Sequence, residues 1–531
     1  MRDIRQIRIE SILGGVADSV YGPTAPDQMA FSLGIDPSIG ENSNLSSRPA
    51  GDLRPVGVTL SSGTFYSTPL WFVKNIKSPS ISYAYDSGGS IYSLGAPSIT
   101  DLGDLNDGGG ASGNGAAYYD NYIYFSRDTT IARYGPLDGT PTFTDDYWAT
   151  TLGKTPLTNT AYPNLADSLA AHPNHVMHRH SDGVLYIADV VDNQGTIHII
   201  KTKKTTVEGD TDDGSTYNKI QVGYGLYPTA FESYGSILVI TFYEGIASAG
   251  GRSGSAKVAF WNTISQKVDD ITWEEFPDSF ISGIRNMNGL LYFISHDAGT
   301  NSGAGFRVSE YIGGHSFREK IFIGDGYPPS PGAIVSSAGR LFFGSRALTL
   351  SGIVTPCIYM YRTRLNKLSD GLFPLPAYTT FVANGHVTAL GLGEQSGIGN
   401  TGVGAYPFFG ISDGVSVYKL GDLSPTTGVF PCQFFSRIFK IGNSFKITKI
   451  TIPFDEENTV LNGVQVRLLM DNFATGYTIG TLTNYVGKKA VIRPENAVGE
   501  HNFCLRLNWN NITTKIAITL PIIIEYELID D

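Results

Sequence analysis

The sequence predicts an all-β protein: a β-propeller of about seven blades, preceded by an extended N-terminal arm and followed by a C-terminal β-sandwich. Three observations predict it. The composition is poor in charge and rich in glycine and aromatics. A strand–turn–strand unit recurs between residues 66 and 430. Beyond residue 436, apolar residues alternate in strict period two.

Charged residues make up 16% of the 531-residue chain, against roughly 25% in an average soluble protein. The 62 glycines stand well above the usual ~7%, and the 57 Tyr and Phe (29 and 28) outnumber the 38 Lys and Arg. Such a chain suits many short strands joined by tight turns. The net charge of −11 argues against nucleic-acid binding through a general basic surface. Cys357, Cys432 and Cys504 are widely spaced and odd in number, which excludes a disulfide framework and a CxxC zinc site. The opening MRDIRQIRIESILGG lacks a signal-peptide core, and no run reaches the ~18 apolar residues of a membrane span. The expectation is a protein made in the cytosol that stays soluble or leaves without a Sec signal.

The repeat reads YYDNYIYFSR (118–127), RHSDGVLYIAD (179–189), ESYGSILVITF (232–242), RNMNGLLYFIS (285–295) and SSAGRLFFGSR (336–346). Asn or Gly at each turn supplies positive φ, and the next residues alternate as a half-buried strand does. A second apolar strand follows each one, as in TTIARYG, GTIHIIK, SAKVAFWN, GFRVSEYI and PCIYMYRT. Outer copies at 82–95 and 408–421 bring the count to seven units, roughly one propeller blade plus loop insertions apart. Six or eight blades lie within the irregularity of that spacing. LRPVGVTL (53–60) is the natural strand to complete the last blade and close the ring. The domains expected are therefore an arm over 1–52, a propeller over 53–435 and a sandwich over 436–531. In the sandwich, FKITKITIPF, NFCLRLNW and TKIAITLPIIIEYELID alternate, with Pro521 suggesting an edge or a bulge.

Motifs that carry chemistry elsewhere read as structural here, and no catalytic residue, metal or cofactor is expected. HPNHVMHRH places His178 and His180 at i and i+2 on one strand face, but holds no Cys, Asp or Glu to complete a zinc set. GISDG (410–414) matches the nucleophile-elbow pattern, yet another strand follows at once instead of a helix. GLGEQSGIGNTGVG (391–404) has no helix to lend its dipole to a phosphate. DLGDLNDGGG (101–110) and EGDTDDGSTYN (208–218) do not fit the calcium loop and read as solvated acidic loops. SDGVLY and SDGVSVY lack the Trp of a sialidase turn, and no turn offers the acidic pair of a glycosidase.

The first fifty residues carry the functional signal. Gly14, Gly15, Pro23, Pro26, Gly34 and Pro37 interrupt every regular element, yet Ile12, Val16, Val20, Met29, Phe31 and Ile35 need burial. A segment of this kind suits an assembly arm ordered mainly by contact with another chain, with Gly14, Gly15, Val16, Pro26, Asp27, Gln28, Met29, Phe31, Arg48 and Pro49 as its candidate residues. The order Gly14-Gly15-Val16, then Pro26-Asp27-Gln28, then Arg48-Pro49 resembles the start of the tail nozzle (tail tubular B-type) proteins of short-tailed bacteriophages. The resemblance implies a propeller-bearing structural component of a virion, built in the host cytoplasm and assembled with copies of itself and with an adaptor, neck or neighbouring tail proteins. It also implies passive passage of DNA through a bore, without sequence-specific contact. Two other functions stay open on the residues alone: recognition of a host surface glycan or receptor protein by Tyr-, Ser-, Gly- and Asn-rich rim loops, and a propeller hydrolase.

Overall fold

The computed structural model describes residues 4–10, 31–33, 35–36, 54–75, 82–94, 99–104, 112–127, 130–148, 175–191, 194–200, 219–245, 254–264, 271–297, 305–324, 328–337, 339–348, 354–362, 371–376, 385–392, 407–412, 416–422, 432–454, 464–471, 476–482, 489–509 and 518–529. Its strands form seven antiparallel propeller sheets and two further sheets. The first blade is built from Pro69–Lys74, Ser82–Asp86, Ser90–Ser93 and Thr100–Asp104 in sequence order. The next five follow the same plan over 112–144, 177–224, 226–276, 280–323 and 334–376. The innermost strands are Pro69–Lys74, Ser112–Tyr119, Met177–Arg179, Leu226–Tyr234, Phe280–Met287, Ile334–Ser337 and Val387–Gly391, and each touches the next in a closed circle. The seventh blade closes as the sequence predicts: Arg54–Thr64 pairs antiparallel with Ser416–Asp422, from Asp422↔Val56 to Ser416↔Thr64. The propeller is a seven-bladed ring fastened by a strand from the other end of the chain.

Aromatic runs and tight turns explain the blades. The Asp120–Asn121 turn has φ of 41° and 70°, and the Asn288–Gly289 turn 55° and 80°, the left-handed pair that a two-residue hairpin requires. One expectation needs correction. The second strand of each unit is not half-buried: Leu185 to Val190 and Leu291 to His296 are buried at every position. Both faces of these strands meet neighbouring blades, so the alternation reports which seam a side chain fills. Tyr85, Ile123 and Phe125 fill the seam between blades one and two. Tyr186, Ile240 and Trp261 fill that between three and four, and Tyr292, Phe343 and Tyr361 that between five and six.

The sandwich pairs a five-stranded sheet containing Ile4–Ile9, Ile522–Leu528, Phe445–Pro453 and Lys489–Ile492 with a six-stranded sheet containing Phe31–Leu33, Cys432–Phe435, Asn502–Trp509, Val464–Met470 and Gly476–Leu482. Ile447, Ile450, Ile522 and Ile524 from one sheet share a core with Val466, Leu468, Leu505 and Leu507 from the other. That core continues into Val387, Phe409 and Ile411 of blade seven. Pro521 sits just before its strand and not on an edge or a bulge, so the missing N–H interrupts no ladder.

The sheets redraw the expected boundaries. Cys432–Phe435 already belongs to the sandwich. The described strands of the expected arm over 1–52 find strand partners within this chain. Ile4–Ile9 pairs with Ile522–Leu528, Phe31–Leu33 with Cys432–Phe435, and Ile35–Asp36 with the closing strand of blade seven. Short strands between Gly and Pro interruptions pair where a complementary edge stands open. Among the described residues, no helix is long and apolar enough to cross a membrane.

Candidate functional site: a polar belt at the inner turns

Of the arm residues singled out from sequence, Gly14, Gly15, Val16, Pro26, Asp27, Gln28, Met29, Arg48 and Pro49 lie outside the described residues, as do His172 and the loops 105–110, 208–218 and 393–404. Phe31 lies in a strand, opposite Phe435. Ser412 of the GISDG motif sits in a turn between Phe408–Ile411 and Ser416–Asp422, its hydroxyl accepting from the His386 N–H at 2.9 Å. That geometry is a hairpin, and it offers no nucleophile elbow.

Polar chemistry gathers instead where the innermost strands of blades three to six turn outward. Ser233, Asn286 and Ser336 each stand directly across from a Leu near the start of the next strand, at Ser233↔Leu238, Asn286↔Leu291 and Ser336↔Leu341. Equivalent places in successive blades are one blade width apart, so the Asn286 and Ser336 side chains reach the backbone of the preceding blade. The Asn286 amide donates to the Ser233 carbonyl at 3.0 Å, and the Ser336 hydroxyl to the Asn286 carbonyl at 3.2 Å. Arg285 extends the stitching by donating from Nε to the Ile334 carbonyl at 2.8 Å. The result is a belt of hydrogen bonds running from blade to blade.

His178 and His180 start the belt. His178 Nε2 lies 2.8 Å and His180 Nδ1 2.9 Å from the one Ser233 hydroxyl. Proton accounting then fixes the tautomers. His180 Nε2 faces the Ser236 carbonyl at 3.3 Å and so carries the hydrogen. Its Nδ1 accepts from Ser233, which leaves His178 Nε2–H to donate to the same hydroxyl. His175, by contrast, is fully buried with Nε2 3.6 Å from Asp189 Oδ1. The two histidines that share a strand face do converge, and what they converge on is a serine of the next blade. Among the described residues, no three His, Cys, Asp or Glu stand together in a way that would hold a metal ion.

Glu232 is the one carboxylate among the described residues of this belt. Burial pushes it up to about 6, against the opposing effects of Arg285 and the backbone N–H groups of Ser233 and Asn286. Burial also drives His178 down to about 3, helped by the positive Arg285 and by His180. Arg285 is itself lowered by burial, with Glu232 acting the other way. Around neutral pH His178 is therefore a neutral imidazole, beside a mostly ionised Glu232 and a charged Arg285. One carboxylate does not make the two-carboxylate arrangement of glycoside hydrolysis.

A pH experiment follows from these shifts. His178 titrates far lower in the folded chain than its ordinary 6.5. Its stabilising contribution is complete above about pH 6.5 and falls as the pH drops toward 3, by about 1.4 kcal/mol per unit. Glu232 acts in the opposite sense, since its raised value favours the protonated fold as pH falls from about 6 toward 4.5. In His178→Gln the amide nitrogen replaces Nε2–H and the Glu232 effect is common to both proteins. Urea unfolding at pH 7 and 4.5 is expected to show the difference between variant and parent moving by about 2 kcal/mol in the variant's favour at low pH. A pH-independent difference would mean that His178 is not held neutral by the belt.

No family model matches the chain, and no curated protein matches it. Similar solved structures include the Neurospora crassa Pan2 WD40 domain (9% identity, 68% of this chain and 95% of that one, TM-score 0.40). They also include YCF48 bound to D1 peptide (9%, 69% and 96%, TM-score 0.38) and the N-terminal domain of Nup159 (10%, 69% and 95%, TM-score 0.36). The chain is a β-propeller protein on the strength of its own strand pairing.

Proposed function

We propose that this chain is a structural component of a tailed-phage virion, part of the tail or neck, assembled with copies of itself and with neighbouring virion proteins. The observation that carries the reading is the course of the N-terminal segment. Its residues 13–49 resemble the opening of tail nozzle proteins, and its described strands enter both sandwich sheets and the seventh blade. A chain whose two ends are locked into one body resists being pulled apart, which suits a part that transmits load in a particle. The belt supports a non-catalytic role, because its Ser233, Asn286, Ser336 and Arg285 groups are engaged in holding blades together. No cofactor is required. The net charge of −11 would let DNA slide past if the chain lines a passage. The particle is the expected location, after synthesis in the host cytoplasm.

The test is the composition of purified particles from a phage that carries this gene. Peptides of the chain are expected at a fixed ratio to other tail proteins, and antibody against the propeller is expected to label one end of the particle. Recovery only from the unassembled lysate would overturn the proposal. A second reading, binding of a host surface glycan, has one observation in its favour. Tyr66 and Tyr224 are each 73% exposed; Tyr66 lies in the turn ahead of the inner strand of blade one and Tyr224 ends the outer strand of blade three just ahead of blade four, so both mark outer-to-inner connections on one propeller face. Large exposed aromatics are sugar-stacking surfaces, so loss of host-cell binding in Tyr66→Ala/Tyr224→Ala would favour that reading.

A further inference from the structure

The six-stranded sheet of the sandwich holds a charge arrangement that the fold alone leaves unresolved. Arg467 and Arg506 stand directly opposite each other on neighbouring strands, in a ladder that also sets Gln465 across from Asn508. Val466, Leu468, Leu505 and Leu507 between and beside them are fully buried in the core, so both arginines lie on the opposite face. Directly opposed side chains have Cβ atoms ~5 Å apart, and like charges there are destabilising. Arginine cannot relieve the repulsion by losing its proton.

Neither guanidinium has a carboxylate partner among the described residues. Arg506 is held in place all the same: its Nε donates to Asn508 Oδ1 at 2.9 Å, and its carbon lies 5.0 Å over the Phe435 ring. Arg467 Nε is buried with no hydrogen-bond partner. Buried donors and buried charges are normally paired, and leaving them unpaired carries a desolvation penalty. Here an immobilised guanidinium, a second one beside it and an orphaned N–H converge on one face. Burial and the neighbouring Arg467 both act to lower Arg506, as expected of an uncompensated pair.

We propose that Arg467 and Arg506 form an oxyanion site, filled by a phosphate- or carboxylate-type group that bridges the two guanidiniums, with Asn508 and Phe435 positioning Arg506. Guanidinium forks match such anions in two-point fashion, which a chloride ion cannot reproduce. The group comes either from a free anion or from an Asp or Glu of a second copy of this acidic chain. The site stands independently of the virion reading.

The test uses the full chain and inorganic phosphate. In the parent protein, millimolar phosphate is expected to raise the melting temperature by roughly 2–5 °C above chloride at equal ionic strength. Arg467→Gln should lose most of that response, yet melt at or above the parent in phosphate-free buffer because the repulsion is gone. A purely structural arginine would do the reverse. Arg467→Lys keeps the charge without the fork and should retain part of the response, which guards against a Gln variant that misfolds. Sedimentation velocity separates the sources. Phosphate stabilisation of a monomer assigns a free anion. A dimer that phosphate dissociates and Arg467→Gln prevents assigns the carboxylate of a second copy. Equal effects of phosphate and chloride, with no Arg467-dependent association, would overturn the site.

Discussion

Deleting residues 1–10 is expected to destabilise the sandwich by about 3–5 kcal/mol. The strand Ile4–Ile9 forms a six-residue ladder with Ile522–Leu528, from Ile4↔Glu527 to Ile9↔Ile522. Ile9 is only 7% exposed, and Ile7 packs against the same core. Burying one isoleucine fully contributes about 1.5–3 kcal/mol, and the half-buried Ile7 adds to it. The deletion also turns Ile522–Leu528 from a covered strand into an open, apolar edge, which invites association between chains. Urea titration should show a lower midpoint, and light scattering should show aggregation that the parent lacks. Ile9→Ala alone should reproduce about 2–4 kcal/mol of the loss. An unchanged midpoint in monomeric protein would mean that the segment is ordered by another chain after all.

The seven-bladed ring was legible because each blade announces itself locally. A polar two-residue turn followed by an aromatic run is written five times in full, and the positive-φ residues Asn121 and Asn288 stand where a hairpin needs them. The closing strand was legible for a different reason: a ring of repeats leaves one edge unpaired, and LRPVGVTL was the alternating segment available outside the repeat. The N-terminal strands were not. IRQIRI and FSL are six and three residues long and find their partners at the far end of the chain. Gly and Pro around them signal interruption without saying which open edge will accept the pieces between.

The polar belt was half legible. His178 and His180 were visible as a pair on one strand face, but their partner was not, because Ser233 belongs to the next blade. The signal existed in the repeat itself. Ser233, Asn286 and Ser336 all precede a Leu near the start of the following strand by the same five residues, at Leu238, Leu291 and Leu341. A polar residue kept in register through a repeat points to a contact between repeats. The Arg467–Arg506 pair carried no such signal, since only strand register brings residues 467 and 506 together. Composition cannot show register.

Gly115→Ala is expected to cost at least about 3 kcal/mol and to loosen the seam between blades two and three. Gly115 is buried on the innermost strand Ser112–Tyr119, where blade two meets the chain entering blade three. A Cβ there would stand 1.8 Å from the His175 carbonyl oxygen and 2.9 Å from its carbon. Both are backbone atoms, so no rotamer change removes the clash, and the two blades must move apart. Tyr124, Trp148, Met177, Leu185 and Ile187 share the core that this movement would open. The Ser126 hydroxyl, which donates to the Gly115 carbonyl at 3.2 Å, would be displaced with it. Gly235→Ala separates space from backbone conformation. Gly235 has φ of 62° with nothing within 4 Å of its missing Cβ, so only the left-handed conformation is penalised, at about 1–2 kcal/mol. Urea titration and tryptophan fluorescence are expected to rank Gly115→Ala as the more damaging, with Trp148 reporting the opened seam. Equal losses at the two sites would mean that the blades yield at the seam far more easily than this packing allows.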